Sequence, residues 1–169
     1  VRRLSADLRP LMLDDLGLPE AIEWLARDAA RRLDLEVTVR FFNPELQIPD
    51  PAATALYRIV QEALANVGRH AQATDVRIEM LRLGNELVLS VEDNGTGFPE
   101  GALDAGQALG LLGMCERAHM LGGYLELSNP PGSGGRVLVR TPLDFKVRGL
   151  PSAAPAALPF ISIQPTPPP

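Results

Sequence analysis

Apolar positions recur along this chain at two periods, and the switches between them mark its elements. In "VRRLSADLRPLMLDDLG", Leu4, Leu8 and Leu11 keep helical spacing and Pro10 ends or kinks the helix, which reads as the tail of a longer one. Beyond "DDLG", Pro19 suits a helix's first turn, and Ala21, Ile22, Leu25, Ala29 and Leu33 continue at steps of three and four. "EVTVRFF", Glu36 to Phe42, is β-branched and alternating, hence a strand. A second long helix runs from about Pro51 to Ala71, where Leu56, Ile59, Val60, Ala63, Leu64 and Val67 form one stripe.

Two strands follow, "DVRIEMLRL" and "NELVLSVED", joined at Gly84-Asn85 as in a hairpin and paired antiparallel in the simplest arrangement. A glycine-rich connection, Gly95 to Gly110, leads to a helix from about Leu111 to Leu121 that Gly122-Gly123 terminates. "YLELS", the turn "NPPGSGG" and "RVLVRTPL" make a final hairpin. Helices interleaved with a mostly antiparallel sheet predict helices covering one of its faces. From Lys146 the pattern stops. Seven prolines between Pro151 and Pro169, with no charge after Arg148, predict an extended or disordered tail.

Composition narrows the function classes. The 169 residues, 46% hydrophobic and 22% charged, suffice for one domain with a core. A net charge of −5 with no Lys/Arg cluster argues against nucleic acid as a partner. No apolar run nears the roughly 20 residues of a membrane helix, and no signal-peptide pattern opens the chain, so no direct membrane contact is expected of it. The single cysteine, Cys115, has no internal disulfide partner, which fits a reducing cytoplasm. Trp24 reads as a core residue, Cys115 as a small packing or surface residue, His119 as structural or surface, and Asp14 and Asp15 as a helix-end or turn feature.

Candidate chemistry lies on the polar face of the second long helix and in three glycine-rich turns. At about 100° per residue, Arg58, Glu62, Asn66 and Arg69 share a ridge with His70 at its edge. A carboxylate, an amide and a cation in one row suit a divalent ion and phosphates, and equally suit an ordinary solvated face. "VEDNGTGF" ends a strand at Asp93 and then spends Gly95 and Gly97. In "ALGLLGM", Gly110 and Gly113 open a helix whose free N–H groups favour an anion. "PPGSGGRV" is a glycine turn entering a strand. Each is weak alone; their order is specific.

In that order they resemble the ATP-binding domain of sensor histidine kinases, of the superfamily (GHKL) shared with gyrase, heat-shock chaperones and mismatch-repair ATPases. "LYRIVQEALANVGRHA" is similar to the family's asparagine box, and "DNGTGF", "LGLLGM" and "GSGGRVLV" to its three glycine boxes. "LRPLMLDDLGLPEAI" further resembles the junction to the dimerisation helices in the nitrate-response and degradation-sensor subclass. The resemblance covers about Leu4 to Leu143. It implies an α+β fold, a two-layer sandwich of the Bergerat type with helices on one face of a mixed, mostly antiparallel sheet. It divides the chain into residues 1–17 (end of a dimerisation helix and junction), 18–145 (ATPase domain) and 146–169 (tail).

The resemblance also implies roles. Asn66 would ligate Mg²⁺, and Glu62 would orient a metal-bound water or act as the catalytic base. Arg69 would meet the phosphates of ATP, and His70 the sugar or base. Asp93 would accept a hydrogen bond from the adenine amine, with Gly95 and Gly97 admitting the backbone closely. Gly110, Leu111, Leu112, Gly113 and Gly135 would complete the ATP site, and Phe98 to Leu109 would form a short lid. Two positions depart from the family: Ala108 stands where a glycine is usual, and Gly135 near a usual threonine. A histidine kinase needs a phosphoacceptor histidine, and neither His70 nor His119 sits in such a motif, so the acceptor is expected upstream of this chain. The implied partners are the phosphoacceptor helices of the same kinase, a second copy in the intact homodimer and a response regulator. The implied location is cytoplasmic, with any membrane anchor in upstream segments. The alternatives are an anti-sigma-factor-type serine kinase, a switch ATPase of the gyrase or chaperone kind, and a non-catalytic binding module.

Overall fold

A computed structural model describes residues 13–102 and 108–145. The first helix at Leu4 to Leu11, the middle of the expected lid and the proline-rich tail lie outside the described residues. After a helical turn at residues 13–16, helix α1 spans Leu18–Leu33, with Pro19 in its first turn and Asp34 closing it in the left-handed region. Strand β1 (Glu36–Phe41) and helix α2 (Ala52–Asn66) follow. Strands β2 (Asp75–Leu83) and β3 (Glu86–Asp93), helix α3 (Ala108–Met120), and strands β4 (Tyr124–Ser128) and β5 (Arg136–Pro142) complete the order.

The five strands form one sheet in the order β1-β2-β3-β5-β4. Only β1 and β2 pair in parallel; the other neighbours are antiparallel. Side chains alternate across a strand, so one face collects Val76, Ile78, Met80, Leu87, Leu89, Val91, Leu125, Leu127, Val137 and Val139, all buried. The three helices bury Ala21, Ile22, Leu56, Ile59, Leu111 and Met114 in the same core. Opposite, the sheet is polar and laced with cross-strand ion pairs, Arg136 to Glu92 at 2.7 Å and Arg140 to Glu86 at 3.3 Å. The expected two-layer α+β sandwich is what forms.

Two boundaries differ from the expectation. The helix drawn from Pro51 to Ala71 is α-helical only to Asn66, and Val67–Ala71 make one wider π-helical turn ending at Gln72 in the left-handed region. Gly68 lies in that turn because α1 crosses it: a Cβ at Gly68 would come within 2.8 Å of a Leu33 methyl. Helix α3 begins at Ala108 rather than Leu111, since alanine and leucine at 108 and 109 are good helix formers and one glycine does not stop them. Trp24 is half-buried against the core rather than within it. Cys115 is fully packed, 2% exposed, and burial pushes its thiol up to about 11.

Candidate functional site

Asp93 is the last residue of β3, and its backbone is locked before its side chain acts. Its N–H donates to the Gly135 carbonyl at 2.9 Å, and its own carbonyl accepts from the Gly134 N–H at 2.7 Å. Asp93 as a whole is 8% exposed. Its Oδ1 accepts from the N–H of Gly95 at 2.7 Å and of Gly135 at 3.3 Å; among the described residues Oδ2 takes no protein donor. A carboxylate oxygen without a donor in a buried residue is costly, and Asp93 lines a cavity of about 390 Å³.

The loop after Asp93 is fixed by backbone contacts. Thr96 N–H donates to the Ala71 carbonyl at 2.8 Å. A Cβ on Gly95 would stand 2.0 Å from that same oxygen, so only glycine permits the approach. Asn94 ties the loop to the start of β2, its Oδ1 accepting from the N–H groups of Thr74 and Asp75 at 2.9 and 3.0 Å.

Across the cavity, α2 and the π turn contribute Asn66, Arg69 and His70. Arg69 Nη2 donates to Asn66 Oδ1 at 3.0 Å and to Glu62 Oε1 at 2.9 Å. The two oxygens thus converge on one positive nitrogen, an arrangement a cation favours. Among the described residues no group of three or more His, Cys, Asp or Glu side chains is arranged to hold a metal ion. An ion beside Asn66 therefore needs most of its oxygens from a ligand or water, which suits Mg²⁺ on a nucleotide.

The floor between the two ends is apolar. Val91 and Val137 are cross-strand partners facing it; Leu111 of α3, Ala63 and the Phe98 ring wall it in. Of the predicted residues, Asn66, Arg69, His70, Asp93, Gly97, Leu111 and Gly135 line this one cavity. Glu62 lies just outside it, joined to Arg69 and packed on α3 so closely that a Cβ at Gly110 would meet its Oε1 at 2.4 Å. Gly95, Gly110, Leu112 and Gly113 do not line it. Gly113, expected to open its helix, is the sixth residue of α3, so its N–H falls within the helical ladder. The side chain of Ala108 lies outside the described set.

Phe98 and Asn129 were not among the predicted site residues. Val91 was legible, two residues before Asp93 on the same face of a strand; Val137 required the β3–β5 register.

Comparison with known proteins fits this geometry. The family model described as "Histidine kinase-, DNA gyrase B-, and HSP90-like ATPase" matches residues 52–145. Signal transduction histidine-protein kinase/phosphatase DegS of Brevibacillus brevis is 32% identical over 143 residues, 85% of this chain and 37% of that protein. Oxygen sensor histidine kinase NreB of Staphylococcus carnosus is 33% identical over 143 residues, 85% of this chain and 41% of that protein. The chain thus spans roughly two fifths of the length of these curated relatives. The crystal structure of the ATP-binding domain of PrrB from Mycobacterium tuberculosis superposes with a TM-score of 0.58 at 29% identity, covering 73% of this chain and 92% of that one. Since the family model takes in more than half of the 169 residues, the described cavity included from Ala63 to Val137, this chain belongs to the histidine kinase-, DNA gyrase B- and HSP90-like ATPase family.

Proposed function

We propose that this chain is the MgATP-binding catalytic part of a two-component sensor histidine kinase. The γ-phosphoryl group of ATP passes to a histidine on the dimerisation helices of the same kinase, outside these 169 residues, and then to an aspartate of a response regulator. The observation that carries the reading is the half-satisfied carboxylate of Asp93, a residue that lines the same cavity as Asn66. Its Oδ2 accepts from the exocyclic amine of adenine while Oδ1 stays held by backbone N–H groups. Such a charge-assisted bond contributes roughly 1.5–3 kcal/mol, about ten- to a hundred-fold in affinity.

The remaining roles follow along the cavity. Val91, Val137 and Leu111 take the apolar faces of the base. Asn66 Oδ1 would hold Mg²⁺, and Arg69, whose present contacts are Glu62 and Asn66, would bring its charge to the phosphates. Mg²⁺, when bound, supplies charge neutralisation on the phosphate oxygens. Glu62 is near enough to Asn66, through Arg69, to orient a water there. His70 stands at the rim for the sugar.

Calorimetric titration of ADP and of a non-hydrolysable ATP analogue, with and without Mg²⁺, tests the reading. Wild type binds both. Asp93→Ala weakens both by ten-fold or more, and Asn66→Ala removes the Mg²⁺ dependence while leaving metal-free binding. Unchanged affinity in Asp93→Ala would sink the adenine assignment. With γ-labelled ATP, this chain alone acquires no label; label on His70 or His119 would overturn the assignment of the acceptor to a segment outside it.

A further inference from the structure

The wall of the cavity next to Asp93 is held by a residue that the nucleotide reading does not use. Asn129, at the end of β4, pairs its side-chain amide with the backbone of Phe98 in both directions. Phe98 N–H donates to Asn129 Oδ1 at 2.8 Å, and Asn129 Nδ2 donates to the Phe98 carbonyl at 2.9 Å. Two bonds from one planar amide fix both the position and the direction of the chain at Phe98. The preceding Gly97 has a φ of +77°, and a Cβ there would sit 2.8 Å from Asn129 Oδ1, so the amide lies flush against the backbone it holds.

The phenyl ring of Phe98 turns inward from this clamp. A Cβ on Gly135 would lie 2.9 Å from Phe98 Cε2 and 3.2 Å from Asp93 Oδ2. The ring edge therefore borders the space that a side chain at 135 would take, and the same space borders the carboxylate oxygen that lacks a protein donor. Both Phe98 and Gly135 line the cavity.

We propose that Asn129 is a positioning residue of the nucleotide site, which holds Phe98 so that its ring, bordering the space left open by Gly135, forms an aromatic wall against the base that Asp93 selects. The inference rests on the adenine reading of Asp93. The ring face gives the base a planar, apolar contact, and the clamp presets it before the ligand arrives, so little order is lost on binding. Asn129 itself does not touch the ligand.

The test is a double-mutant cycle on Mg²⁺–ADP binding by calorimetry, with unfolding midpoints measured beside it. Phe98→Ala weakens binding by about ten-fold, the usual scale for losing an aromatic stack on a base. Asn129→Leu weakens it about five-fold when Phe98 is present and by less than two-fold in the Phe98→Ala background. A purely structural Asn129 would instead weaken binding equally in both backgrounds, and that outcome, or wild-type affinity in Asn129→Leu, overturns the proposal. Should Asn129→Leu fail to fold, Asn129→Asp serves: it keeps an acceptor for the Phe98 N–H and loses the donor to the Phe98 carbonyl, so it weakens binding with Phe98 present and by less than two-fold in Phe98→Ala, and an equal loss in both backgrounds overturns the idea. Asp93→Ala separates the two levels. Loss of binding there with none in Asn129→Leu removes the clamp alone; binding retained in Asp93→Ala removes the adenine reading and the clamp with it.

Discussion

At the Asp93 end of the cavity, backbone meets backbone: Thr96 on Ala71, Gly134 on Asp93, Asp93 on Gly135. At the Asn66 end, side chain meets side chain, and the Arg69 to Glu62 pair is 55% and 32% exposed. Backbone hydrogen bonds of 2.7–2.9 Å have no rotamers to change, so the Asp93 end is formed before a ligand arrives. An exposed ion pair contributes roughly 0–1 kcal/mol and opens readily. On the proposed reading, the base meets the fixed template and the phosphates meet the groups that swing.

The strongest way to break this contrast is Gly95→Ala. Its Cβ would lie 2.0 Å from the Ala71 carbonyl and neither backbone can yield, so denaturation should show a loss of about 3 kcal/mol, a Tm lower by roughly 6–12 °C. A loss under about 0.5 kcal/mol would show the Asp93 end to be soft. Arg69→Met probes the other end. Stability should change by less than about 0.5 kcal/mol, while ADP affinity falls about ten-fold in dilute buffer, and that deficit should shrink as salt is raised. Cys115 reports on both variants. With its thiol pushed up to about 11 by burial, it should resist thiol reagents at neutral pH in wild type and Arg69→Met, and label faster in Gly95→Ala as opening becomes easier.

The smallest effect concerns the polar face behind Asp93. Burial alone would raise the Glu92 carboxyl, but the Ser133 hydroxyl and the Arg136 guanidinium outweigh it and hold the group below its usual range. A lowered folded value means that its stabilisation is complete above the ordinary glutamate value of about 4.3 and fades as pH falls through the lowered one. Glu92→Gln should therefore cost about 0.5–1 kcal/mol at pH 7 and flatten the acid limb of a stability–pH curve. An unchanged acid limb would remove Glu92 from the account.

The sheet, its hairpins and the amphipathic helices were legible because each follows a period of two or 3.6 that one-sided burial enforces. The asparagine box and the glycine boxes were legible as an ordered set, and seven of the residues drawn from them share one cavity. What sequence could not give depends on contacts between distant segments. Asn129 looks like any turn asparagine until Phe98, 31 positions earlier in the chain, arrives beside it. Gly68 and the π turn are set by Leu33 on another helix. The start of α3 was misjudged because Gly110 was read as a break, whereas its small size lets Glu62 approach.

The π turn sets phase as well as shape. In Val67–Ala71 the chain takes a wider path than an α-helix over the same residues, which keeps Arg69 over Glu62 and Asn66 while delivering the Ala71 carbonyl to Thr96. Each residue of a helix turns the next by about 100°, so deleting a single position here would swing the guanidinium off its ridge and unhook the glycine loop together. Length, more than side-chain identity, is what this joint cannot trade.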